Sequence, residues 1–211
     1  MKSSRHDSPV ALVTGANSEL GLEVSRQLGA KGHTVLLGCR NEVRGSEAER
    51  LLQAEGIDAH AIYLDVASPS TLLAACQAVE EHFARLDVLV NNAAIYYDSW
   101  QRVTSVNWDV VTEALNVNVL GPWRTSLAIL PLLKRSAHPR IVNVSSKAGS
   151  LASLSGGTPA YSLSKAALNA GTRMLASELK RDGELVNAVC PDWTATELGS
   201  EGGRPVEEGA W

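Results

Sequence analysis

Tyr161 and Lys165, in the run YSLSK, have the residue types and the spacing for proton transfer. Residues four apart share one face of a helix, so the phenol and the ammonium would lie side by side. A neighbouring positive charge stabilises phenolate and would lower the tyrosine pKa from its usual value near 10. The pair could then exchange a proton with a carbonyl oxygen at neutral pH. Because this spacing also arises by chance, the pair alone does not establish catalysis.

A second chemical feature is the loop VTGANSELG, which follows an apolar run and ends at Gly21. Gly15 permits a tight turn, and Gly21 lets the following helix pack closely on the preceding strand. The exposed N–H groups at the start of that helix can bind a pyrophosphate. A plain strand-to-helix turn would use the same glycines, so the loop is also ambiguous by itself.

Six short apolar runs rich in β-branched residues alternate with amphipathic segments along the chain. The runs predict strands at 10–13, 34–38, 60–65, 88–90, 140–145 and 185–189. The segments between them predict helices at 21–30, 44–55, 70–84, 108–135 and 160–181. This alternation predicts an α/β fold of the Rossmann type, a doubly wound parallel sheet with helices on both faces. We expect one domain over 1–211, with 1–8 and 197–211 as its flexible parts.

The composition excludes several classes of protein. A net charge of −4, without a Lys/Arg cluster, argues against a nucleic-acid partner. No apolar stretch approaches the roughly 20 residues that span a bilayer, and no secretory signal is evident at the start. The cysteines and histidines lack the spacing of metal ligands, so we expect no metal site. The three scattered cysteines suit a reduced, cytoplasmic protein.

Seven short motifs occur in order along the chain. They are the glycine loop, LDV at 64–66, NNAA at 91–94, NVLG at 118–121, IVNVSS at 141–146, YSLSK at 161–165 and NAVCPDW at 187–193. Together they resemble the short-chain dehydrogenase/reductase family over about 8–200, especially its NADPH-dependent carbonyl reductase-like members. The resemblance implies hydride transfer between NADPH and a ketone or aldehyde, or the reverse alcohol oxidation. It also implies a small-molecule carbonyl or alcohol substrate and a homodimer or homotetramer.

The resemblance assigns four catalytic residues. Tyr161 would be the general acid/base, and Lys165 would lower its pKa and hold the nicotinamide ribose. Ser146 would hydrogen-bond the substrate oxygen, with Ser145 as the alternative because the SS pair leaves the register open by one. Asn118 would fix a water that links Lys165 to solvent.

The resemblance also assigns a cofactor site. Its residues would be Gly15, Asn17, Ser18, Leu20, Gly21, Arg40, Asp65, Val66, Asn91, Ala93, Tyr161, Lys165, Pro191, Trp193 and Thr194. Asp65 would contact the adenine, and Asn91 would stabilise the cofactor's position. The second strand ends LLGCRN, without the acid that binds the ribose hydroxyls of NAD. Arg40 instead suits the 2′-phosphate, so NADP is favoured over NAD unless Arg40 is only a solvated loop charge.

Four departures from the family pattern support a second hypothesis. Glu19, Ala94 and Asp192 stand where most members have glycine, and the usual seventh strand is missing after residue 197. A carboxylate at position 19 would repel a pyrophosphate. The second hypothesis is therefore a reductase-like binding or regulatory protein with weakened cofactor binding and little redox turnover. The missing strand also leaves 185–189 as an apolar edge that another chain or the terminal segment should cover.

Overall fold

Apolar residues run without interruption through the first two strands, which places them in the buried middle layer of the fold. A computed structural model describes residues 8–17, 19–192, 194 and 203–210. In it, β1 (Val10–Thr14) and β2 (Thr34–Cys39) are buried along their whole length. The other strands are β3 (Ala59–Tyr63), β4 (Val88–Asn91), β5 (Arg140–Val144) and β6 (Leu185–Val189). All six pair in parallel in the order β3-β2-β1-β4-β5-β6, which confirms the predicted sheet.

Helices cover both faces of this sheet. They are α1 (Glu19–Ala30), α2 (Glu42–Ala54), α3 (Pro69–Phe83), α4 (Trp108–Leu115), α5 (Gly121–Leu133), α6 (Pro159–Leu179) and the short α7 (Val206–Gly209). On one face, α1 and α2 pack over Val13 and Leu37. On the other face, α3, α5 and α6 pack over Leu12 and Leu89. The layering is that of a Rossmann-type fold.

The single helix predicted at 108–135 is interrupted. A π-helical turn, Asn116–Leu120, separates α4 from α5. Such turns insert one residue into the helical repeat and are frequent at functional sites. Here the turn contains Asn118. Apolar periodicity continues through the segment, so the sequence pattern alone does not reveal the break.

The described part of the C-terminal segment lies on α1. Thr194 and Arg204 form a parallel bridge, and α7 packs against α1. No seventh strand occurs within the part of the chain that the structure describes, and Leu185 and Val189 of β6 stay about half exposed. The segment 203–210 lies on α1, and the expectation that another chain or the terminal segment covers β6 stays a prediction. Most of the two ends expected to be flexible lies outside the described residues.

Two features are absent from the described residues. None of their helices is long and apolar enough to cross a membrane. The same residues contain no group of three or more His, Cys, Asp or Glu side chains that could hold a metal ion.

The position of a site follows from the strand order. The chain moves outward through β2 and β3 on one side of β1, then returns to β4 on the other side. The connections on the two sides diverge, so a crevice opens at the carboxyl ends of β1 and β4. Open α/β sheets bind ligands in this crevice.

Candidate active site

A cleft of about 1040 Å³ opens at the carboxyl ends of the strands. Of the residues that the sequence singled out, it is lined by Gly15, Asn17, Leu20, Gly21, Arg40, Asp65, Val66, Ala93, Ser145, Ser146, Tyr161, Lys165, Pro191 and Thr194. Asn91 and Asn118 are not part of the lining, and Ser18 and Trp193 lie outside the described residues. The fold thus gathers most of these residues in the crevice where ligands are expected.

The glycine loop forms a cradle that side chains would fill. Gly15 has φ +66°, and its N–H donates to the Gly38 carbonyl at 2.8 Å. A Cβ at Gly21 would lie only 2.2 Å from the Gly15 oxygen. A Cβ at Gly15 would lie 3.0 Å from the Ala93 Cα. Because α1 begins directly after this turn, its N-terminal N–H groups face the cleft, as a pyrophosphate site requires.

Thr14 and Asn92 brace this cradle, and sequence reasoning missed both. The Thr14 hydroxyl accepts the N–H groups of Asn92 and Ala93, each at 3.0 Å. The Asn92 amide donates to the carbonyls of Thr14 at 3.0 Å and Gly15 at 3.2 Å. These bonds fix the loop after β4 to the glycine loop. In the sequence, the only indication for these two residues was their position at the end of a strand: Thr14 ends β1, and Asn92 directly follows β4.

Two residues that replace the family's glycines adopt a backbone conformation that favours glycine. Glu19 has φ +50° and Asp192 has φ +61°. A non-glycine residue in this left-handed region costs about 1–2 kcal/mol, less for aspartate. Both residues line the cleft, as does Ala94. The chain therefore carries added side chains and local backbone strain among the residues that line the cleft.

Tyr161 stands in the first turn of α6 with its ring largely buried. Burial raises the pKa of its phenol to about 12, while a hydrogen bond with the Ser146 side chain acts in the opposite direction. The Tyr97 ring packs edge-on against it, with the centroids 5.2 Å apart. The phenol therefore keeps its proton at neutral pH.

Lys165 lies one helical turn after Tyr161 and is only 2% exposed. Its Nζ donates to the Val144 carbonyl at 2.8 Å and lies 5.5 Å from the centroid of the Tyr161 ring. Burial lowers the pKa of the ammonium to about 8. Desolvation of the phenol therefore sets the direction of the Tyr161 pKa in this structure, and the expectation that Lys165 lowers that pKa stays a prediction.

The two candidate serines point to different partners. The Ser145 hydroxyl donates to the Asn169 side-chain oxygen at 2.6 Å. The Ser146 hydroxyl bonds with Tyr161 and accepts the Ala148 N–H at 3.2 Å. The structure thus places Ser146, rather than Ser145, beside the tyrosine hydroxyl.

Asn118 lies behind the cleft wall, fully buried in the π-helical turn. Its amide exchanges two hydrogen bonds with the backbone of Ile95, at 2.9 and 3.0 Å. It also donates to the Ser164 hydroxyl on α6 at 3.1 Å. Asn118 therefore connects a residue of the cleft wall to the helix that carries Tyr161 and Lys165.

Asn91 does not take the position expected of it. Its side chain is buried and donates to Asn143 at 2.8 Å and Ser126 at 3.2 Å, inside the molecule. Because side chains alternate along a strand, the Asn91 side chain at the end of β4 points inward. The residues that follow it line the cleft. Asn92, Ala93 and Ala94 are the residues of this motif that line the cleft.

The far end of the cleft is lined by cationic side chains. Arg40 and Arg44 follow β2, and Asn41 between them caps α2 by accepting the Arg44 N–H at 3.0 Å. Asp65 accepts the N–H of Ala67 at 2.9 Å, which shapes the loop after β3. Guanidinium groups suit bidentate phosphate binding. This end of the cleft therefore offers two guanidinium groups to an anionic ligand.

Comparisons with known proteins agree with this geometry. The profile of a family described as "short chain dehydrogenase" matches residues 9–205. "Short-chain dehydrogenase/reductase 1" of Saponaria officinalis is 35% identical, over 95% of this chain and 86% of that protein.

Two solved structures share the fold. An NADPH-bound carbonyl reductase from chicken fatty liver has a TM-score of 0.88 and 29% identity, over 96% of this chain and 88% of that one. An NAD+-bound xylitol dehydrogenase has a TM-score of 0.84 and 28% identity, over 92% of this chain and 74% of that one. With the profile match covering nearly the whole chain, this protein belongs to the short-chain dehydrogenase/reductase family.

Proposed function

We propose that this protein is an NADP-dependent oxidoreductase that transfers a hydride between NADPH and a ketone or aldehyde, or catalyses the reverse alcohol oxidation. One observation carries the proposal: the hydrogen-bonded hydroxyls of Tyr161 and Ser146 and the glycine cradle line the same cleft. The NADPH-bound carbonyl reductase with the same fold supports this substrate class.

The residues of the cleft suit each part of the cofactor. The N–H groups after Gly15 would hold the pyrophosphate, and Arg40 and Arg44 would hold the 2′-phosphate. Lys165, at the other end, would bond the nicotinamide ribose. When bound, NADPH supplies the hydride, and the protein supplies position and electrostatics.

Tyr161 would donate the proton that completes the reduction. On reduction the carbonyl carbon would accept the hydride and its oxygen would gain the C=O π electron pair, and the Tyr161 hydroxyl would give that oxygen its proton. The pKa of about 12 ensures that this proton is present at neutral pH. Ser146 would hydrogen-bond the same oxygen, and protonated Lys165 near the ring would stabilise the phenolate that remains.

The preference for NADP over NAD rests on charge. No carboxylate ends β2, and Arg40 and Arg44 line that part of the cleft. A carboxylate there would bond the free ribose hydroxyls of NAD, whereas a guanidinium pairs with the extra phosphate of NADP.

A second candidate function is that of a reductase-like binding protein with little turnover. It is favoured by the Glu19 carboxylate and by the positive φ angles of Glu19 and Asp192 at the cleft. Titration of the purified protein with NADPH and NADH, followed by nucleotide fluorescence, separates the candidates. A protein that binds neither nucleotide below millimolar concentration would contradict the oxidoreductase proposal.

The chemistry is tested with Tyr161→Phe. For reduction of an electron-poor aldehyde such as 4-nitrobenzaldehyde, we expect kcat to fall by at least about 100-fold, the span of a positioned proton donor. The Kd for NADPH should change less than about twofold, because the ring remains. Tyr63→Phe, a half-exposed residue outside the cleft, is the matched control. Wild-type turnover in Tyr161→Phe would refute the role of the phenol.

A further inference from the structure

Asp98 is a buried carboxylate that lies behind the cleft yet holds the backbone of Tyr161. It is 0% exposed, and it does not line the cleft. Its Oδ1 accepts the Tyr161 N–H at 3.0 Å, and its Oδ2 accepts the Ala160 N–H at 2.9 Å. The Gln101 side chain donates a further bond to Oδ2 at 2.9 Å. All three donors thus converge on one side chain from the loop after β4.

The start of α6 depends on this carboxylate because its local residues cannot cap it. Pro159 has no N–H, and Thr158 before it has φ +51° and makes no capping bond. The Thr158 hydroxyl instead pairs with that of Ser162 at 2.9 Å. The first N–H groups of a helix need acceptors, and a negative charge is favoured there. Asp98, which lies 63 residues before Tyr161 in the chain, provides the acceptor oxygens and the carboxylate group.

The same carboxylate also fixes the loop that packs on the Tyr161 ring. Tyr97, its neighbour in sequence, places its ring edge-on against that of Tyr161, with the centroids 5.2 Å apart and the planes at 70°. Gln101, which is bound to Asp98, accepts the Asn107 N–H at 2.6 Å and so joins the loop to the start of α4. The backbone and the ring of the tyrosine are thereby held through one buried group.

We propose that Asp98 is a positioning residue for the proton transfer. This inference rests on the proposed function, in which Tyr161 donates the proton. Without the carboxylate, the first turn of α6 loses both acceptors, and the phenol is no longer held in line with the substrate oxygen. A misplacement of about 1 Å can reduce a rate by about 100-fold. The nucleotide contacts of the glycine cradle and of Arg40 lie on other elements and stay in place.

The test compares Asp98→Ala and Asp98→Asn with wild type. With NADPH and 4-nitrobenzaldehyde, we expect Asp98→Ala to lower kcat by at least about tenfold while the Kd for NADPH changes less than about twofold. Asp98→Asn keeps one acceptor oxygen and should recover part of the rate. Asp87→Ala is the control, because this carboxylate also accepts a backbone N–H, that of Val10 at 2.8 Å, but lies just before β4 and outside the cleft lining. It should keep the wild-type kcat.

A double variant separates positioning from general stability. In the Tyr161→Phe background, Asp98→Ala should lower the residual kcat by less than about twofold, because the group that it positions is already absent. An equal fold-loss in both backgrounds, or a wild-type kcat in Asp98→Ala, would overturn the positioning role. If Asp98→Ala does not fold, a wild-type kcat in Asp98→Asn overturns it instead. Failure of the proposed function is a separate result, seen as a wild-type kcat in Tyr161→Phe.

Discussion

Replacing Glu19 by glycine tests two costs that this residue imposes on the cofactor loop. Glu19 is the first residue of α1, lines the cleft and has φ +50°. Glycine removes both a carboxylate at the proposed pyrophosphate site and a side chain held in the left-handed conformation. Glu19→Gln removes only the charge. The pair of variants therefore separates the electrostatic cost from the conformational one.

The magnitudes follow from these two terms. Unit charges about 4 Å apart repel by about 1 kcal/mol in water and about 4 kcal/mol at an effective dielectric constant of 20. The lower figure alone corresponds to about fivefold in Kd. A glutamate in the left-handed conformation destabilises the folded state by about 1–2 kcal/mol. Glycine removes that strain but lowers the free energy of unfolding by about 0.5–1 kcal/mol, because it has more conformational freedom in the unfolded chain. We expect a net gain in the free energy of unfolding of roughly 0–1.5 kcal/mol for Glu19→Gly.

The assay measures the Kd for NADPH by fluorescence at low and high salt, with melting temperatures alongside. Both variants should bind NADPH at least about fivefold more tightly at low salt, and the gain should shrink as screening increases. Only Glu19→Gly should melt higher, by up to roughly 4 °C. Glu42→Gln, which neutralises the first residue of α2 outside the cleft lining, is the control. Unchanged binding in both variants would refute the electrostatic argument.

Three further perturbations have expected outcomes. Arg40→Asp should raise the Kd for NADPH by at least about tenfold and the Kd for NADH by less than about twofold, as measured by titration. Arg50→Asp, outside the cleft, should change neither Kd. Lys165→Met should raise the melting temperature at pH 7. Burial lowers the pKa of the ammonium from 10.5 to about 8, so its removal should raise the free energy of unfolding by about 3 kcal/mol. Loss of the hydrogen bond to Val144 should offset about 1–2 kcal/mol of that gain. That gain should fade between pH 8 and pH 10.5, where the folded wild type is neutral; a gain that does not vary with pH would contradict it. Glu184→Leu should raise the free energy of unfolding at pH 7 by about 1–3 kcal/mol, since Glu184 is 3% exposed and neither of its oxygens has a hydrogen-bond partner among the described residues. Burial raises the pKa of Glu184, so thermal melts should show a smaller gain below pH 4.5, where the carboxyl is neutral in both states.

The fold could be predicted because its signals are local. Continuous apolar runs mark β1 and β2, and both are buried throughout. The break between α4 and α5 could not be predicted, because the π-helical turn is held by contacts of Asn118 with Ile95 and Ser164. A helical pattern records which face is apolar. It does not record which distant backbone groups need a partner.

The site divides in the same way. Gly15, Gly21 and Tyr161 stand in short motifs, and the order of these motifs along the chain singled them out where the spacing within one motif did not. Thr14 bonds to residues 78 and 79 positions later in the chain, and Asp98 to residues 62 and 63 positions later. These side chains act on the site only through the backbone of other segments. One sequence holds no pattern that joins such positions before the chain is folded.

The charge state of Tyr161 shows what residue spacing leaves out. A lysine one turn from a tyrosine predicts a lowered phenol pKa if only the Coulomb interaction is considered. In the structure, the same helix face that brings the two together also buries both, so the pKa of Tyr161 rises to about 12 and that of Lys165 falls to about 8. At pH 7 the phenol is then protonated and the lysine remains charged. A protonated phenol beside a charged ammonium is the state that the proposed reduction needs before the proton is given, whereas the proposed alcohol oxidation needs the phenol to lose its proton first.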